Sequence, residues 1–461
     1  MLASVLEPTS TVAIILQVVV ILFCLLRGTH YGGIGLGLIS GIGLLIMVFV
    51  FGLQPGEPPV AVMLTIVAVI GCASALQQSQ GLDVMMQFAE KLLRKRPEMI
   101  TIMAPLTTWT LTVLCGTGHV VYTMFPIIED IAIKKNIRPE RPMAVASTAS
   151  QMGITASPVS VATVSLATIL AQDAGITGKA YSIPQILSVA IPASLCGVLL
   201  AALWSMRRGK DLDVDPEFQA KLKDPVFRES IYGSSETLLG KVFPRSAYLA
   251  VTIFFTAIGV VVVLGAFEML RPEFPGKDGQ LEPLSMNLVI QMIMLVAGAA
   301  MLIFCKIDNS KIASTAVFKA GMTAVFSVFG VAWMADTFFQ THVDALESSL
   351  GSVVAQAPWA YALVLFVVSK LVNSQAAALV AIAPIGLQLG VAPEVLVGFY
   401  GAAYGYFILP TYPSDLACIG FDRTGTTRIG RFIINHSFII PGIIGVVTSC
   451  VVGSMLAQVL L

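Results

Sequence analysis

Charged residues are scarce in this sequence. Only 12 % of its 461 residues are Asp, Glu, Lys or Arg, whereas 56 % are hydrophobic. Soluble domains carry about 25 % charged residues, so a soluble globular fold is excluded. Lys and Arg together number 27, as do Asp and Glu, and the formal net charge is zero. A nucleic acid or an anionic surface is therefore not expected as a partner.

Paired cysteines are also missing. The seven cysteines lie singly in apolar segments, and none forms a Cys-x-x-Cys motif, so no disulfide, metal site or other cofactor is expected. No nucleophile–base pair and no set of metal ligands is evident, so the chain is not expected to be an enzyme. The N-terminus lacks the basic stretch of a cleavable signal peptide, so the first helix should be retained.

Long apolar runs dominate the chain instead, and a helix needs about 20 apolar residues to cross a membrane. Those of the first half lie near 11–26, 31–53, 59–80, 142–172 and 184–206. Those of the second half lie near 246–269, 285–304, 320–339, 392–421 and 434–460. They predict an all-α polytopic membrane protein. Glycines crowd the second run, with no strand before it to make a dinucleotide fingerprint, so they predict close helix packing.

Two basic clusters, Lys91–Arg96 and Lys134–Arg141, flank a further apolar run, 100–133. Lys and Arg concentrate on the cytoplasmic side of a membrane, so a single crossing would put one cluster on the wrong side. The run is therefore predicted to be a re-entrant hairpin that enters and leaves from the cytoplasm. Its tip should lie at Cys115–His119, where two glycines weaken the helix.

A second hairpin is predicted at 357–390, with an interruption at Asn373–Gln375. The flanking segments 340–357 and 391–394 contain no Lys or Arg, so this hairpin should enter from outside. Each half then has five crossings and one hairpin, and an odd number of crossings inverts the second half relative to the first.

Three regions follow from this plan: a first repeat at 1–206, a linker at 207–245 and a second, inverted repeat at 246–461. The linker has eight basic and seven acidic residues and is predicted to be a solvated cytoplasmic segment. The crossings 142–172 and 392–421 occupy corresponding places, and both are broken by proline. Both termini should be periplasmic.

Four interruptions are expected to converge, because paired breaks in corresponding halves indicate a transporter binding site. Each break begins a half-helix whose unpaired N–H groups carry a partial positive charge. Hydroxyl, amide and imidazole side chains add hydrogen-bond donors, which suits a small anion with a carboxylate at each end. The candidate ligands are Gly116, Thr117, Gly118, His119, Thr155, Ala156, Ser157, Asn373, Ser374, Gln375, Thr411, Tyr412 and Ser414.

Simpler interpretations remain open for single residues. A Ser or Thr hydroxyl in a membrane helix often bonds only the carbonyl one turn back. His119 is a substrate donor, a proton site, or a donor to protein alone. Lys370 and Asp415 are ionisable groups at membrane depth, which indicates function, and a purely structural ion pair between them is the alternative.

Seven short motifs at the interruptions and helix ends are distinctive: Gly116-Thr117-Gly118, Ile154-Thr155-Ala156-Ser157-Pro158, Val317-Phe318-Lys319-Ala320-Gly321-Met322, Gly330-Val331-Ala332-Trp333, Ser374-Gln375-Ala376-Ala377, Leu409-Pro410-Thr411-Tyr412-Pro413 and Thr424-Gly425-Thr426-Thr427-Arg428-Ile429-Gly430. With them the sequence resembles the anaerobic C4-dicarboxylate exchanger family (Dcu) over essentially its whole length. The segments His119-Val120-Val121-Tyr122 and Tyr412-Pro413-Ser414-Asp415 resemble its DcuB-like branch more than its DcuA-like branch. Each motif is weak alone, whereas their number and order are specific. His119 stands where the DcuA-like pattern has Asn.

The resemblance implies a bacterial inner-membrane antiporter that exchanges fumarate, malate or aspartate for succinate during anaerobic fumarate respiration. It also implies a homodimer in which a transport domain moves past a scaffold, as in an elevator. DcuB-like members also act with a membrane sensor histidine kinase, and Lys370, Thr411 and Asp415 are the candidates for that role. The alternatives are a symporter coupled to Na⁺ or H⁺, and a co-sensor whose transport is secondary.

Overall fold

α-Helices make up most of the backbone in the computed structural model. It describes residues 7–31, 34–58, 60–172, 181–232, 237–275, 281–357, 359–410, 412–430 and 435–461. The candidate ligand Thr411 therefore lies outside the described residues, and so do Gly32 and Gly33 of the glycine-rich run.

The described part of the first half contains nine α-helices. They are α1 (Thr11–Tyr31), α2 (Gly35–Phe49), α3 (Val60–Gln78), α4 (Gly81–Lys95), α5 (Ile100–Cys115), α6 (Val121–Lys134), α7 (Glu140–Met152), α8 (Val161–Gln172) and α9 (Ile183–Ser205). Eight of the nine lie in the predicted apolar runs and one, α4, was not predicted. The run 100–133 is two helices, α5 and α6, and the run 142–172 is likewise broken between α7 and α8.

The linker and the second half contain the remaining helices. They are α10 (Pro216–Lys221), α11 (Pro225–Tyr232), α12 (Arg245–Ala266), α13 (Met286–Phe304), α14 (Ala316–Gln356), α15 (Trp359–Val372), α16 (Gln375–Gln388), α17 (Pro393–Gly398), α18 (Pro413–Phe421) and α19 (Ile439–Leu460). Two strands, β1 (Glu273–Pro275) and β2 (Leu281–Pro283), pair antiparallel with Phe274 opposite Glu282; the sequence analysis did not predict them.

Eight helices of the described chain are long and apolar enough to cross a membrane. Their spans are Thr11–Gly28, Val60–Gln78, Pro97–Cys115, Ile183–Ser205, Arg245–Gly265, Met286–Phe304, Ala316–His342 and Ile439–Leu460. The chain is therefore a multi-pass membrane protein, as predicted. One of the eight, Pro97–Cys115, includes the first arm of the predicted hairpin, so re-entry at 100–133 stays a prediction.

Close packing between α2 and α14 explains part of the glycine-rich run. A Cβ atom added at Gly37 would collide with the main-chain carbonyl of Phe326, and one at Gly330 would collide with the carbonyl of Gly37. At Gly43 it would meet the sulfur of Met334, whereas Gly41 faces open space. The predicted role of these glycines in helix packing is confirmed for Gly37 and Gly43.

Two regions are more helical than the sequence analysis predicted. The helix expected near 320–339 continues as α14 to Gln356, because no Gly or Pro occurs between Gly330 and Gly351 to stop it. The linker at 207–245, expected to be solvated, contains the short helices α10 and α11.

The linker helices are docked on the end of α6 in the first half. Leu212, Phe218 and Ile231 of the linker form a small buried cluster with Ile133 of α6. Charged contacts surround this cluster: Arg138 bonds Asp215 at 2.6 Å, Arg141 bonds Asp211 at 2.6 Å, and Arg428 bonds Glu217 at 3.2 Å. The linker is thus a packed element rather than a free connection.

Candidate functional site

The tip of the first hairpin is a short turn followed by a new helix start. Gly116 ends α5 in the left-handed conformation, with a φ of 73°, which favours glycine. Thr117 then occupies the N-cap position of a 3₁₀ turn, Gly118–Val120, that leads into α6, and its Oγ1 lies 2.8 Å from His119 Nδ1. A Cβ atom on Gly118 would collide with the side chain of Gln151. The turn therefore requires Gly116, and Gly118 leaves room for the side chain of Gln151.

The tip of the second hairpin has a similar construction. Asn373, with a φ of 48°, turns the chain after α15. Asn tolerates this left-handed conformation better than most residues. Ser374 follows as the N-cap of α16, where its Oγ accepts a hydrogen bond from the Ala377 N–H at 3.2 Å. The tip thus presents a helix N-terminus whose first N–H groups have no helical partner.

The two broken crossings supply two more helix starts. In the first, α7 ends at Met152 and α8 begins at Val161, after Ser160, whose Oγ accepts from the Thr163 N–H at 3.1 Å. In the second, 3₁₀ turns at 400–403 and 406–408 precede α18, whose N-cap position is Tyr412. Prolines prevent a continuous helix in both places.

A cavity of about 140 Å³ lies where these four breaks meet. Its wall includes 115–119 and 373–376 from the two hairpin tips, Val161 and Ala162 at the start of α8, and Tyr406 and Tyr412 from the second broken crossing. Residues of α3 and α14 close the remaining side. A cavity of about 150 Å³ holds benzene, which has six heavy atoms, so this one suits a small metabolite.

The cavity brings together eight of the candidate ligands and leaves out four. Those on its wall are Gly116, Thr117, Gly118, His119, Asn373, Ser374, Gln375 and Tyr412. Thr155, Ala156, Ser157 and Ser414 are buried away from it. The hydroxyl of Thr155 donates to the carbonyl of Met152 at 2.8 Å, which is the simpler interpretation that the sequence left open.

Helix N-termini, not charged side chains, provide the positive potential around the cavity. The first residues of three helical segments and the N-cap residue of α18, Tyr412, border it, and a helix N-terminus carries a partial charge of about half an elementary unit. Among the described residues of the wall, none is Lys, Arg, Asp or Glu. The wall therefore offers neutral hydrogen-bond donors and dipoles to an anion, together with the imidazole of His119.

A buried amide network joins three of the four breaks, and sequence reasoning missed two of its members. Gln375 Nε2 donates to the main-chain carbonyl of Gln151 at 2.8 Å and to the Tyr406 hydroxyl at 3.2 Å. The Tyr406 hydroxyl donates to Gln151 Oε1 at 2.7 Å. A side-chain amide in an apolar crossing, four residues before Thr155, was the signal that could have identified Gln151.

Lys370 lies behind the cavity wall and ties the second hairpin to the second broken crossing. Its Nζ donates to Asn373 Oδ1 at 3.1 Å and to the main-chain carbonyls of Tyr406 at 3.3 Å and Leu409 at 3.1 Å. Asp415 accepts from the Ser147 hydroxyl at 2.8 Å. Asp415 is buried, whereas Lys370 is half-buried.

Comparison with known protein families agrees with this architecture. A family model described as the anaerobic C4-dicarboxylate membrane transporter matches residues 13–461. The chain belongs to this family, DcuA/DcuB. It is 55 % identical over 442 residues to the anaerobic C4-dicarboxylate transporter DcuB of Escherichia coli O6:H1, covering 96 % of this chain and 98 % of that one. It is 35 % identical over 456 residues to the C4-dicarboxylate transporter DcuA of Wolinella succinogenes, covering 97 % and 100 %.

The higher identity to DcuB than to DcuA assigns the chain to the DcuB-like branch. Two solved transporters share the fold at low sequence identity. The Alcanivorax borkumensis YdaH transporter has a TM-score of 0.56 at 15 % identity and covers 97 % of each chain. Neisseria gonorrhoeae MtrF, described as an antimetabolite efflux pump, has a TM-score of 0.56 at 13 % identity and covers 98 % of this chain and 96 % of its own.

Proposed function

We propose that this protein exchanges C4-dicarboxylates, taking up fumarate, malate or aspartate and releasing succinate. The observation that carries the proposal is the cavity of about 140 Å³ at which four helix N-termini meet. It supports a small dianion, because the two hairpin tips supply donors and positive dipole ends from different directions. The relatives DcuB and DcuA are named as C4-dicarboxylate transporters, which supports the same substrate class.

The uncharged hydrogen-bond donors of the cavity wall favour a site that releases its dicarboxylate readily. A substrate held without an Arg or Lys ion pair leaves a membrane site more readily. In an exchanger the loaded carrier crosses in both directions, so a site that releases each dicarboxylate easily is an advantage. Of the candidate ligands, Thr117, His119, Asn373, Ser374 and Gln375 line this cavity, and we assign substrate binding to them first.

The packing of the helices supports two inverted repeats and an elevator motion. The contacts α2–α14 and α3–α13 are counterparts in the two halves, as are α6–α18 and α8–α16, while α9 packs on α19 and α3 on α14. Residues such as Ala162, Val331 and Ala377 are buried between α3 and α14 on one side and α8 and α16 on the other. A surface of small apolar side chains favours sliding of one body past the other.

We further propose that the protein resides in a bacterial inner membrane, with both termini in the periplasm, and that it is a homodimer. Placing the basic residues of α4 and of the docked linker in the cytoplasm follows the positive-inside rule. A role as co-sensor with a membrane sensor histidine kinase stays a second proposal, with Lys370, Thr411 and Asp415 as the residues to test.

Liposomes with the purified protein test the exchange. They are loaded with unlabelled succinate, and uptake of labelled fumarate is compared with uptake into empty liposomes, with and without Na⁺ and pH gradients. We expect uptake that requires internal succinate and is indifferent to the gradients. Uptake into empty liposomes driven by a Na⁺ or pH gradient would instead establish the coupled symporter.

A further inference from the structure

The ammonium group of Lys370 sits at the junction of the second hairpin and the second broken crossing. Three of its acceptors come from two different segments: Asn373 Oδ1 from the hairpin tip, and the carbonyls of Tyr406 and Leu409 from the broken crossing. The distances from Nζ are 3.1, 3.3 and 3.1 Å. An ammonium has three N–H donors, and these three oxygens are acceptors from two separate segments.

The main-chain carbonyls of Tyr406 and Leu409 can accept from Lys370 because neither has a helical N–H donor. In a helix each carbonyl accepts from the N–H four residues later. Four residues after Tyr406 stands Pro410, and four residues after Leu409 stands Pro413. Neither proline has an N–H, so both carbonyls would be left without a helical partner in a membrane, where that is costly. Lys370 replaces the two missing donors.

Carbonyl oxygens of an unwound membrane helix are also the groups that hold a coupling cation in transporters with discontinuous helices. The oxygens around Lys370 have that character, since they come from a helix break and from a hairpin tip that borders the substrate cavity. Asp415 is buried in the same broken crossing, where it accepts a hydrogen bond from the Ser147 hydroxyl at 2.8 Å. The three oxygens around the ammonium group therefore resemble the ligands of a monovalent cation.

We propose that the Lys370 ammonium is a tethered substitute for a coupling Na⁺ ion at this junction. The positive charge that a symporter would recruit from solution is supplied by the chain, so the two segments stay joined without Na⁺. The inference rests on the proposed dicarboxylate exchange and explains why that exchange should be indifferent to Na⁺. It makes Lys370 a positioning residue, because it holds Asn373 of the cavity wall and does not itself line the cavity.

Replacing the tethered charge tests the proposal. Exchange of fumarate for internal succinate is measured for Lys370→Ala, with Na⁺ or a large organic cation as the only monovalent cation on both sides of the liposome. We expect the variant to be about tenfold slower in the organic cation, because buried carbonyls lose their donor, and Na⁺ to restore most of the rate. Lys370→Arg keeps a fixed charge and should stay indifferent to Na⁺.

Lys319→Ala is the matched control, since it removes an exposed lysine beside the cavity wall on α14 and should confer no Na⁺ dependence. Thermal unfolding gives a readout that does not need transport: Na⁺ should raise the unfolding temperature of Lys370→Ala and leave that of the wild type unchanged. The proposal is overturned if Lys370→Ala responds equally to Na⁺ and the organic cation, or fails to fold even in Na⁺. A wild type that itself requires Na⁺ would overturn it too.

The two proposals can fail separately. If the wild type transports no dicarboxylate, the proposed exchange is refuted. The unfolding temperatures of Lys370→Ala still decide whether Na⁺ replaces the ammonium group. If the wild type exchanges dicarboxylates but Lys370→Ala does not respond to Na⁺, only the inference about the Lys370 ammonium group is refuted.

Discussion

Gln375 donates from its side-chain amide to the main-chain carbonyl of Gln151 at 2.8 Å. The bond spans 224 positions of sequence and joins the tip of the second hairpin to α7, the first helix of the first broken crossing. Since Gln375 also lies on the cavity wall, the position of that wall depends on contacts between the two halves of the chain.

Gln375→Leu should therefore weaken both folding and substrate binding. It leaves the buried carbonyl of Gln151 without this donor, at a cost of about 1–3 kcal/mol. We expect a lower unfolding temperature and a higher half-saturation concentration for succinate exchange. Gln388→Leu makes the same change at the far end of α16 and should leave half-saturation unaltered. Equal effects of the two variants would show that the contact with Gln151 is unimportant.

Thr117 and Thr155 both stand beside a helix break, but they differ in their position relative to the cavity. Thr117 lies on the wall and occupies an N-cap position, whereas the Thr155 hydroxyl is bonded to the carbonyl of Met152. Thr117→Val should raise the half-saturation concentration about fivefold, because it removes a hydroxyl on the wall whose hydrogen bond to the substrate would contribute about 1 kcal/mol. Thr155→Val should change it much less. The reverse order would place the substrate at the first broken crossing.

Contact between the backbones of α2 and α14 predicts that Gly330→Ala is destabilising. Its new methyl group would collide with the main chain of Gly37, and overpacking of this kind costs about 1–3 kcal/mol. Gly41→Ala on α2 is the control, because that position faces open space. Thermal unfolding in detergent should show a lower temperature for Gly330→Ala and an equal or higher one for Gly41→Ala. Similar temperatures would argue against tight packing here.

Docking of the linker should weaken in acid. The hydrogen bond from Arg428 holds the pKa of Glu217 below its usual value. A carboxylate whose pKa is lowered in the folded state contributes stability above its unfolded pKa, and that contribution is lost as the pH falls through the folded pKa. Hydrogen exchange of the amides in α10, corrected for its intrinsic pH dependence, should therefore accelerate once the pH falls below the ordinary pKa of Glu.

Glu217→Gln imitates the protonated state at neutral pH, and it should speed the same exchange without acid. Glu229→Gln on α11 carries the same change away from Arg428 and serves as the control. If exchange in α10 is identical in all three proteins, the Arg428 contact does not hold the linker.

Much of the architecture follows from local sequence. The scarcity of charged residues and the long apolar runs indicate a membrane protein. The spanning segments are then helical, because a helix satisfies its backbone hydrogen bonds within itself. Glycine at 116 and 118, and proline at 158, 410 and 413, disfavour a helix through local covalent geometry, although Pro105, Pro126, Pro192 and Pro384 are accommodated inside helices. The order of the helices and three of the four breaks follow from these local signals, whereas the break at Asn373–Gln375 was marked by polarity alone. Polarity did not predict where α14 ends, because that helix continues to Gln356.

Tertiary structure alone decided which polar groups line the cavity. Sequence treats Thr117 and Thr155 alike, because both are hydroxyls beside a break, yet only Thr117 reaches the cavity wall. Gln151 and Tyr406 gained their roles from partners far away in sequence. The carbonyls of Tyr406 and Leu409 lose their helical donors through local chemistry, and only the fold brings Lys370 to within 3.3 Å of both. Local covalent rules create unpaired groups, and packing between distant segments decides what pairs them.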